Sequence, residues 1–468
     1  MKYFIFTYDG HGLAVAHHLQ QEGHEVIAGQ VPDKSDVLSA SEKESRHEDD
    51  YDKKLRLELF DGMVEKMPAD KLIERMKKIN NPQDYFVFFD FNNLFKFADQ
   101  VRDLGFHGNF PTAEDHSFEI NRDQAKDFVK KHYPKLHVTE IKEFHKINEA
   151  VKFIKESDEI WVIKGYDDEA ETFVPESDDL ELAREQLLEA LEAYKRGYES
   201  QGFLLELLVR PIIELTPEKI YYDGVALATI LDIENKPLGS GNLSIQTGCS
   251  ADLVFPTNMT DRINEIAFPP IVDEMAKQHK GLFIWDASIL INKRNGKMYF
   301  GEFCSNRPGY NCFFTELAQA ASVNDFFENL THKIHPLTLG TVATSMRIFN
   351  LNRSVDDKYI ESGVTINYKT EIWKDVWLFD ALKKGGKIVS AGYDWNLAVV
   401  TGSGNSINEA VNRMYNNLSK FSFLGGYYRP KDDYLSLDYQ TSILNRLNYG
   451  LDRRLYQLPF NVRIGEIK

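Results

Sequence analysis

The sequence predicts a multidomain protein of mixed α/β and α+β class, and three observations carry that expectation. The first 31 residues alternate strand, glycine turn, helix and strand, which opens a parallel sheet covered by helices. Residues 134–204 mix short strands with helical stretches, the pattern of a compact α+β unit. Beyond residue 340 the composition changes again, to a strand, a Gly/Ser loop and an amphipathic helix. At 468 residues the chain exceeds what one hydrophobic core fills, so about three domains are expected.

In chain order, "KYFIFTY" reads as a buried strand, "DGHG" as a turn, "LAVAHHLQQEG" as a helix and "HEVIAGQV" as a second strand. The turn, Gly10-x-Gly12 followed by Ala14, fits either an anion cradle at a helix start or a tight βα turn with no ligand. Residues 34–56 are charged and poor in large apolar side chains, which predicts a surface insertion. Helical spacing resumes over 55–79, and "DYFVFFDF" returns to the sheet. This Rossmann-like N-terminal unit spans 1–105, and a central unit spans 106–340. Within the central unit a helix runs from Asn121 to His132 and stops before Pro134. A helix at 147–155, the strand "EIWVIKGY", a long charged helix over 180–200 and the strand "GFLLELLV" build the subdomain at 134–204. "IWDASILI" and "KMYFGEF", joined by "NKRNGK", form a hairpin whose inner face carries Asp286 and Glu302. A small C-terminal α+β domain covers 341–430. There Ser406 and Glu409 make a capping box, and Ile407, Val411, Met414, Tyr415 and Leu418 form an apolar stripe. Residues 431–468 read as a helical tail packing back on the body or on a second subunit.

Composition narrows the function classes. With 55 basic and 72 acidic residues the formal charge is −17, and no Lys/Arg-rich block concentrates positive charge, so nucleic acid and anionic membrane are excluded as partners. Three cysteines, Cys249, Cys304 and Cys312, form no paired framework, which suits a reducing compartment and a cytoplasmic location. No apolar run is long enough to span a membrane. His11, His17, His18 and His24 offer no i, i+4 pair for zinc.

The stretch "KMYFGEFCSNRPGYN" carries the densest chemistry. A strand ends on Glu302 and runs into Asn306, Arg307 and Pro308, which fits either a capped loop or a metal and phosphate site.

Several segments, in order, resemble glycinamide ribonucleotide synthetase, also called phosphoribosylamine-glycine ligase. "LAVVTGSGNSINEAVNRMYNNLSKFSFLGGYYRP" is similar to its C-terminal domain, and "FEINRDQAKDFVKKHYP" to its Leu-Glu-Gly-Ser-Lys…Lys-Asp-Phe helix start. "WVIKG" resembles its Val-Val-Lys strand, "LLELLVRPIIEL" its Leu-Leu-Glu-Glu-Phe…Glu-Glu strand and "IQTGCSADLVFP" its Asn-Thr-Gly-Gly-Met-Gly-Ala loop. "GEFCSNRPG" is similar to its Glu-Phe-Asn-Ala-Arg metal motif. The matches cover residues 1 to about 430.

The resemblance implies the ATP-grasp fold and an ATP-dependent ligase that forms an acyl phosphate from a carboxylate and then an amide, releasing ADP. It implies ATP and Mg²⁺ as cofactors, with Mn²⁺ as an alternative, and purine biosynthesis as the setting. The small-molecule partners would be an amino acid such as glycine and an amine resembling phosphoribosylamine, handled by a monomer or homodimer. On this likeness Asp286, Glu302 and Asn306 hold metal, hard oxygen ligands suited to Mg²⁺. Arg122, Lys164, Thr172, Glu206 and Glu214 hold nucleotide, while Arg307 and Lys236 serve catalysis, Arg307 steadying a phosphoryl group.

Three departures separate the chain from that pattern. "KGYDDEAETFVPES" has one glycine and five acids where the family has a glycine-rich covering loop. "TGCSADLVFP" keeps one glycine of a glycine-rich substrate loop, and Cys249 and Ser250 add bulk there. Cys304 stands where the family has its Asn, and the residues after the Arg become Pro308-Gly309-Tyr310-Asn311. The departures favour ATP use over those particular substrates. They leave two alternatives: a ligase joining a different amino acid to a different amine, such as a modified nucleotide or a peptide, or a subunit that binds nucleotide without turnover.

Overall fold

Five parallel strands open the chain, in the order Lys66–Pro68, Val26–Gln30, Lys2–Thr7, Tyr85–Phe89 and His107–Gly108. The structure is a computed structural model describing residues 1–37, 48–165, 172–177, 179–210, 212–242, 246–308, 311–338, 340–351, 361–437 and 442–459. Apolar runs such as "YFIFT" fit a strand buried on both faces by flanking helices. The last strand carries this unit just past Gly105.

At the first turn Gly10 has φ 93°, a left-handed conformation natural to glycine, and the helix His11–Gln21 follows. The turn's amides are directed at the protein itself. Gly10 N–H donates to Thr7 Oγ1 at 2.8 Å and Gly12 N–H to Asp90 Oδ2 at 2.7 Å. Asp90 is fully buried, and burial pushes its carboxyl up to about 7. An internal carboxyl therefore sits where an anion cradle would receive its ligand, so the turn is a closed βα turn.

Residues 34–56 are less peripheral than their charge suggests. The helix Asp50–Glu58 buries Arg56, which pairs with Glu48 at 2.6 Å and donates to the carbonyls of Tyr8 and Val31 at 2.9 and 2.8 Å. Residues 38–47 of that insertion lie outside the described residues. The helical spacing expected over 55–79 is interrupted by the edge strand Lys66–Pro68 before the helix Ala69–Met76.

The small α+β unit is a three-stranded antiparallel sheet, Ile141–Phe144, Phe203–Leu207 and Trp161–Gly165 in spatial order. It has its own core, including Ile147, Ile154, Trp161, Leu187, Tyr198 and Phe203. The long helix expected over 180–200 breaks at Tyr194 into Leu180–Ala193 and Lys195–Gln201.

A nine-stranded antiparallel sheet forms the centre. Its order is Met298–Ser305, Leu282–Asn292, Ile212–Tyr222, Val225–Pro237, Gln246–Thr257, Val342–Asn350, Asn396–Gly404 and Val376–Leu378, with Gly426–Tyr427 added beside Val342–Asn350. The expected hairpin is present, with Asp286 opposite Cys304. The segment 341–430 does not stand apart. Residues 251–254 pair with 343–346, so it continues the central sheet, and one apolar core joins Tyr3, Trp285 and Trp377. The composition change at 340 marks the start of a strand rather than the end of a core.

The helix Ile407–Leu418 is capped by Ser406 Oγ, which accepts from the Glu409 N–H at 3.1 Å. Ile407, Val411, Met414 and Leu418 are buried and Tyr415 is half-buried, as the stripe requires. In the tail the helix Ile443–Asp452 packs on the strands Ile212–Tyr222 and Val225–Pro237. Among the described residues no helix is long and apolar enough to cross a membrane.

Candidate functional site

One polar group gathers around Glu206 on the small sheet. Register sets Lys164, on the neighbouring strand, beside it at 2.5 Å. Lys126, from the helix Arg122–His132, reaches the same carboxylate at 2.9 Å, and the Thr139 hydroxyl donates to it. Burial alone would raise the Glu206 carboxyl, but Lys164 and then Lys126 outweigh it and hold it at about 2. Burial pulls Lys126 below the ordinary lysine range.

Arg122 lies exposed one turn earlier on that helix. The structure thus brings Lys126, not Arg122, onto Glu206. Lys126 was readable in the Lys-Asp-Phe match, and its spacing from Val129 marks the buried face. Thr172 is exposed, next to Phe173, whose backbone bridges to Ile163 at 2.9 and 3.0 Å. Most of the acidic loop, residues 166–171, lies outside the described residues.

A second group lines one face of the large sheet. Side chains two apart on a strand share a face, so Glu214 and Glu218 point together, as do Asp232, Glu234 and Lys236. Lys236 Nζ lies 3.0 Å from Glu214, 3.7 Å from Glu302 and 3.9 Å from Glu234. Ser288 Oγ also donates to Glu214, at 2.9 Å. Burial opposes charge on Glu214, yet Lys236 first and Arg446 next hold its carboxyl at about 2. Asp286 goes the other way, pushed well up by burial and by Glu218, Glu234 and Glu302, with its Oδ1 lacking a partner. Glu302 is mostly exposed, its side chain at 62%.

Glu218, Asp232, Glu234, Glu316 and Arg446 join this group unannounced by the sequence reading. The alternation in "ILDIENK" signals two of them, because it sets Asp232 and Glu234 on the face that carries Lys236. Glu316 and Arg446 arrive from distant helices, which no local pattern marks.

Asn306 and Arg307 turn elsewhere. Asn306 adopts φ 54°, its N–H donates to the Ile284 carbonyl at 2.8 Å and its Nδ2 to Asp115 Oδ2 at 3.4 Å. Arg307 pairs with Glu119 and lies over the Phe91 ring at 4.7 Å. The left-handed residue redirects the chain, so the motif ends against the helix Ala113–Ile120. Cys304, and not Asn306, is the residue across from Asp286. Of the expected metal ligands Asp286, Glu302 and Asn306, the first two lie on the paired hairpin strands, and Asn306 is turned toward Asp115. The segment Gln246–Thr257, expected as a substrate loop, is an ordinary strand in which Cys249 is buried and Ser250 Oγ donates to the Asn235 carbonyl at 2.6 Å.

Three solved structures share this architecture. Phosphoribosylamine-glycine ligase from Thermotoga maritima has a TM-score of 0.58 at 15% identity, covering 92% of this chain and 99% of its own. Biotin carboxylase from Campylobacter jejuni, in a β-γ-ATP complex, has a TM-score of 0.56 at 12% identity, covering 91% and 93%. Phosphoribosylglycinamide synthetase from Anaerococcus prevotii has a TM-score of 0.51 at 13% identity, covering 90% and 98%.

The chain has the ATP-grasp fold.

No protein-family model and no curated protein matches the sequence. At these identities the likeness fixes the fold and leaves the chemistry to the residues. In this fold the Glu206 group sits on the small sheet and the Glu214–Lys236 group on the large one. The strands that carry Glu206 and Glu214, Phe203–Leu207 and Ile212–Tyr222, are consecutive in the chain.

Proposed function

We propose that the protein is an ATP-dependent carboxylate–amine ligase, with nucleotide held between the Glu206 group and the Lys236 group. The observation that carries this reading is the pair of charged groups on the two sheets: cations Lys126 and Lys164 around Glu206, and Lys236 among Glu214, Glu234 and Glu302. The resemblance in the ordered motifs and the shared fold support it. Lys126 and Lys164 would meet phosphate, with Glu206 and Glu214 orienting the nucleoside, Arg122 at the pocket edge and Thr172 on the covering side.

Asp286 has a buried carboxylate oxygen without a partner, and Glu302 lies close enough to raise it further, which suits a divalent cation and disfavours an empty pair of anions. Asp286 and Glu302 would hold Mg²⁺ or Mn²⁺, while Asn306 stays turned toward Asp115. Bound metal supplies neutralisation of phosphate charge during acyl phosphate formation. Lys236 steadies the carboxylates and the developing anion, and Arg307 holds the motif against Glu119 and Phe91. The nucleotide would be consumed as substrate with ADP released, in a cytoplasmic monomer or homodimer.

Within this reading the strand at Gln246–Thr257 favours an acceptor other than phosphoribosylamine, because buried Cys249 and hydrogen-bonded Ser250 occupy the expected substrate loop. Incubation with Mg-ATP and a panel of amino acids, with and without phosphoribosylamine, tests both levels by ADP release. Glycine- and phosphoribosylamine-dependent release gives the purine-pathway ligase. Release with another pair gives the second ligase, and nucleotide binding without release gives the non-catalytic subunit. Glu302→Ala is expected to abolish turnover with the fold intact, since that side chain is mostly exposed. Turnover at the wild-type rate in this variant would sink the metal assignment.

A further inference from the structure

The face bearing Lys236 continues into a second cluster that the nucleotide chemistry leaves unused. Glu218 is four residues further along its strand than Glu214, about 13 Å. There its carboxylate meets Cys312 and Glu316, whose ligand atoms and its own all lie within 4.8 Å of one another. Cys312 and Glu316 are spaced i, i+4 on the helix Asn311–Leu317, which sets both on one face. Glu218 Oε1 and Glu316 Oε2 are buried with no hydrogen-bond partner.

A further buried carboxylate lies on the same sheet face as Glu218. Asp232 comes from the adjacent strand, is 4% exposed, and its Oδ1 also lacks a partner. Of the charged groups acting on the Cys312 thiol, Asp232 acts most strongly, ahead of Glu316 and Glu218. The cations near this face are Lys236 and Arg446, the latter acting on Glu214 first and on Asp232 next. Lys236 lies among Glu214, Glu234 and Glu302, and Arg446 donates to the Glu234 carbonyl. Burying this many carboxylate oxygens without a partner is costly, and either a shared proton between Glu218 and Glu316 or a bound cation relieves it.

We infer that Glu218, Cys312 and Glu316 form a site for a zinc-type transition-metal ion, with Asp232 beside it on the same sheet face, separate from the magnesium of the proposed ligase reaction. A thiolate among carboxylates selects zinc or cobalt over magnesium, which takes oxygen only. Donor atoms in tetrahedral zinc sites lie about 3.3–3.8 Å apart by the usual bond lengths, so binding draws these side chains inward. The ion ties the helix Asn311–Leu317 to the central strand Ile212–Tyr222. That helix directly follows the segment carrying Asn306 and Arg307, so the metal anchors the end of the motif. The site does not depend on the nucleotide reading.

The experiment uses the full chain, stripped of metal and kept free of nucleotide, then titrated with Co²⁺. The expected result is about one equivalent of tightly bound cobalt with a thiolate charge-transfer band in the near ultraviolet. The band disappears in Cys312→Ser and in Glu316→Gln and persists in Glu302→Ala. A band that survives Cys312→Ser, or is lost instead in Cys304→Ser, overturns the assignment. So does the absence of any band, and a raised thermal midpoint in Glu218→Gln then shows that the pair holds a proton and not a metal.

Discussion

Lys126 and Arg122 are one helical turn apart, yet only Lys126 reaches Glu206. Lys126→Ala is therefore expected to weaken ATP binding by about tenfold or more, the worth of a charge-assisted hydrogen bond, and Arg122→Ala far less. Calorimetric titration of the two variants with ATP compares them. The Glu206 carboxyl, held at about 2 against 4.5 unfolded, contributes stability above pH 4.5 that is lost as pH falls toward 2. Asp90 contributes in the opposite sense. Its folded value of about 7 exceeds the unfolded 3.8, so its contribution is fully present below pH 3.8 and is lost as pH rises to 7. Asp90→Asn should flatten that decline, measured by denaturant unfolding at pH 4 and pH 8. Glu302 was singled out from its strand and the turn after it, whereas Lys236 and Glu214 came from the resemblance, and the structure sets Lys236 beside both carboxylates. Glu316 and Arg446 were not legible, because their place in the site is set by helices far along the chain.

Elements were legible where periodicity and capping agree. The helix Ile407–Leu418 was read from Ser406, Glu409 and a 3.6-residue stripe, and the hairpin from its turn. Fine register was beyond reach. A bulge between Ala287 and Ile289 shifts the pairing and sets Cys304 opposite Asp286. Packing of that helix against its strand depends on Gly402, where a Cβ would lie 2.4 Å from the Ala410 carbonyl oxygen and the Met414 nitrogen. Backbone cannot yield as a flexible side chain does, so Gly402→Ala is expected to cost about 2 kcal/mol or more, read from thermal or denaturant unfolding. The small sheet, by contrast, carries its own core around Trp161 and Phe203. Hydrogen exchange should report residues 141–207 opening at lower free energy than the central strands.

At the scale of the whole molecule, the ladder between Gln246–Thr257 and Val342–Asn350 decides the cooperativity. Because hydrogen bonds and one apolar core cross residue 340, the central and C-terminal segments should lose structure in a single transition. Two separated transitions for these segments in calorimetry with exchange mass spectrometry would contradict that expectation. Sequence reading placed a boundary there because a composition shift is local, whereas strand pairing is not. The same ladder has a consequence for synthesis. A ribosome releases residues 246–257 roughly a hundred residues before their partner strand emerges, which at common elongation rates is about 5–20 seconds. During that interval the strand presents an open edge of unpaired backbone groups, the kind of surface that recruits other chains. Nascent chains of this protein therefore need protection of that edge until residue 350 has left the exit tunnel.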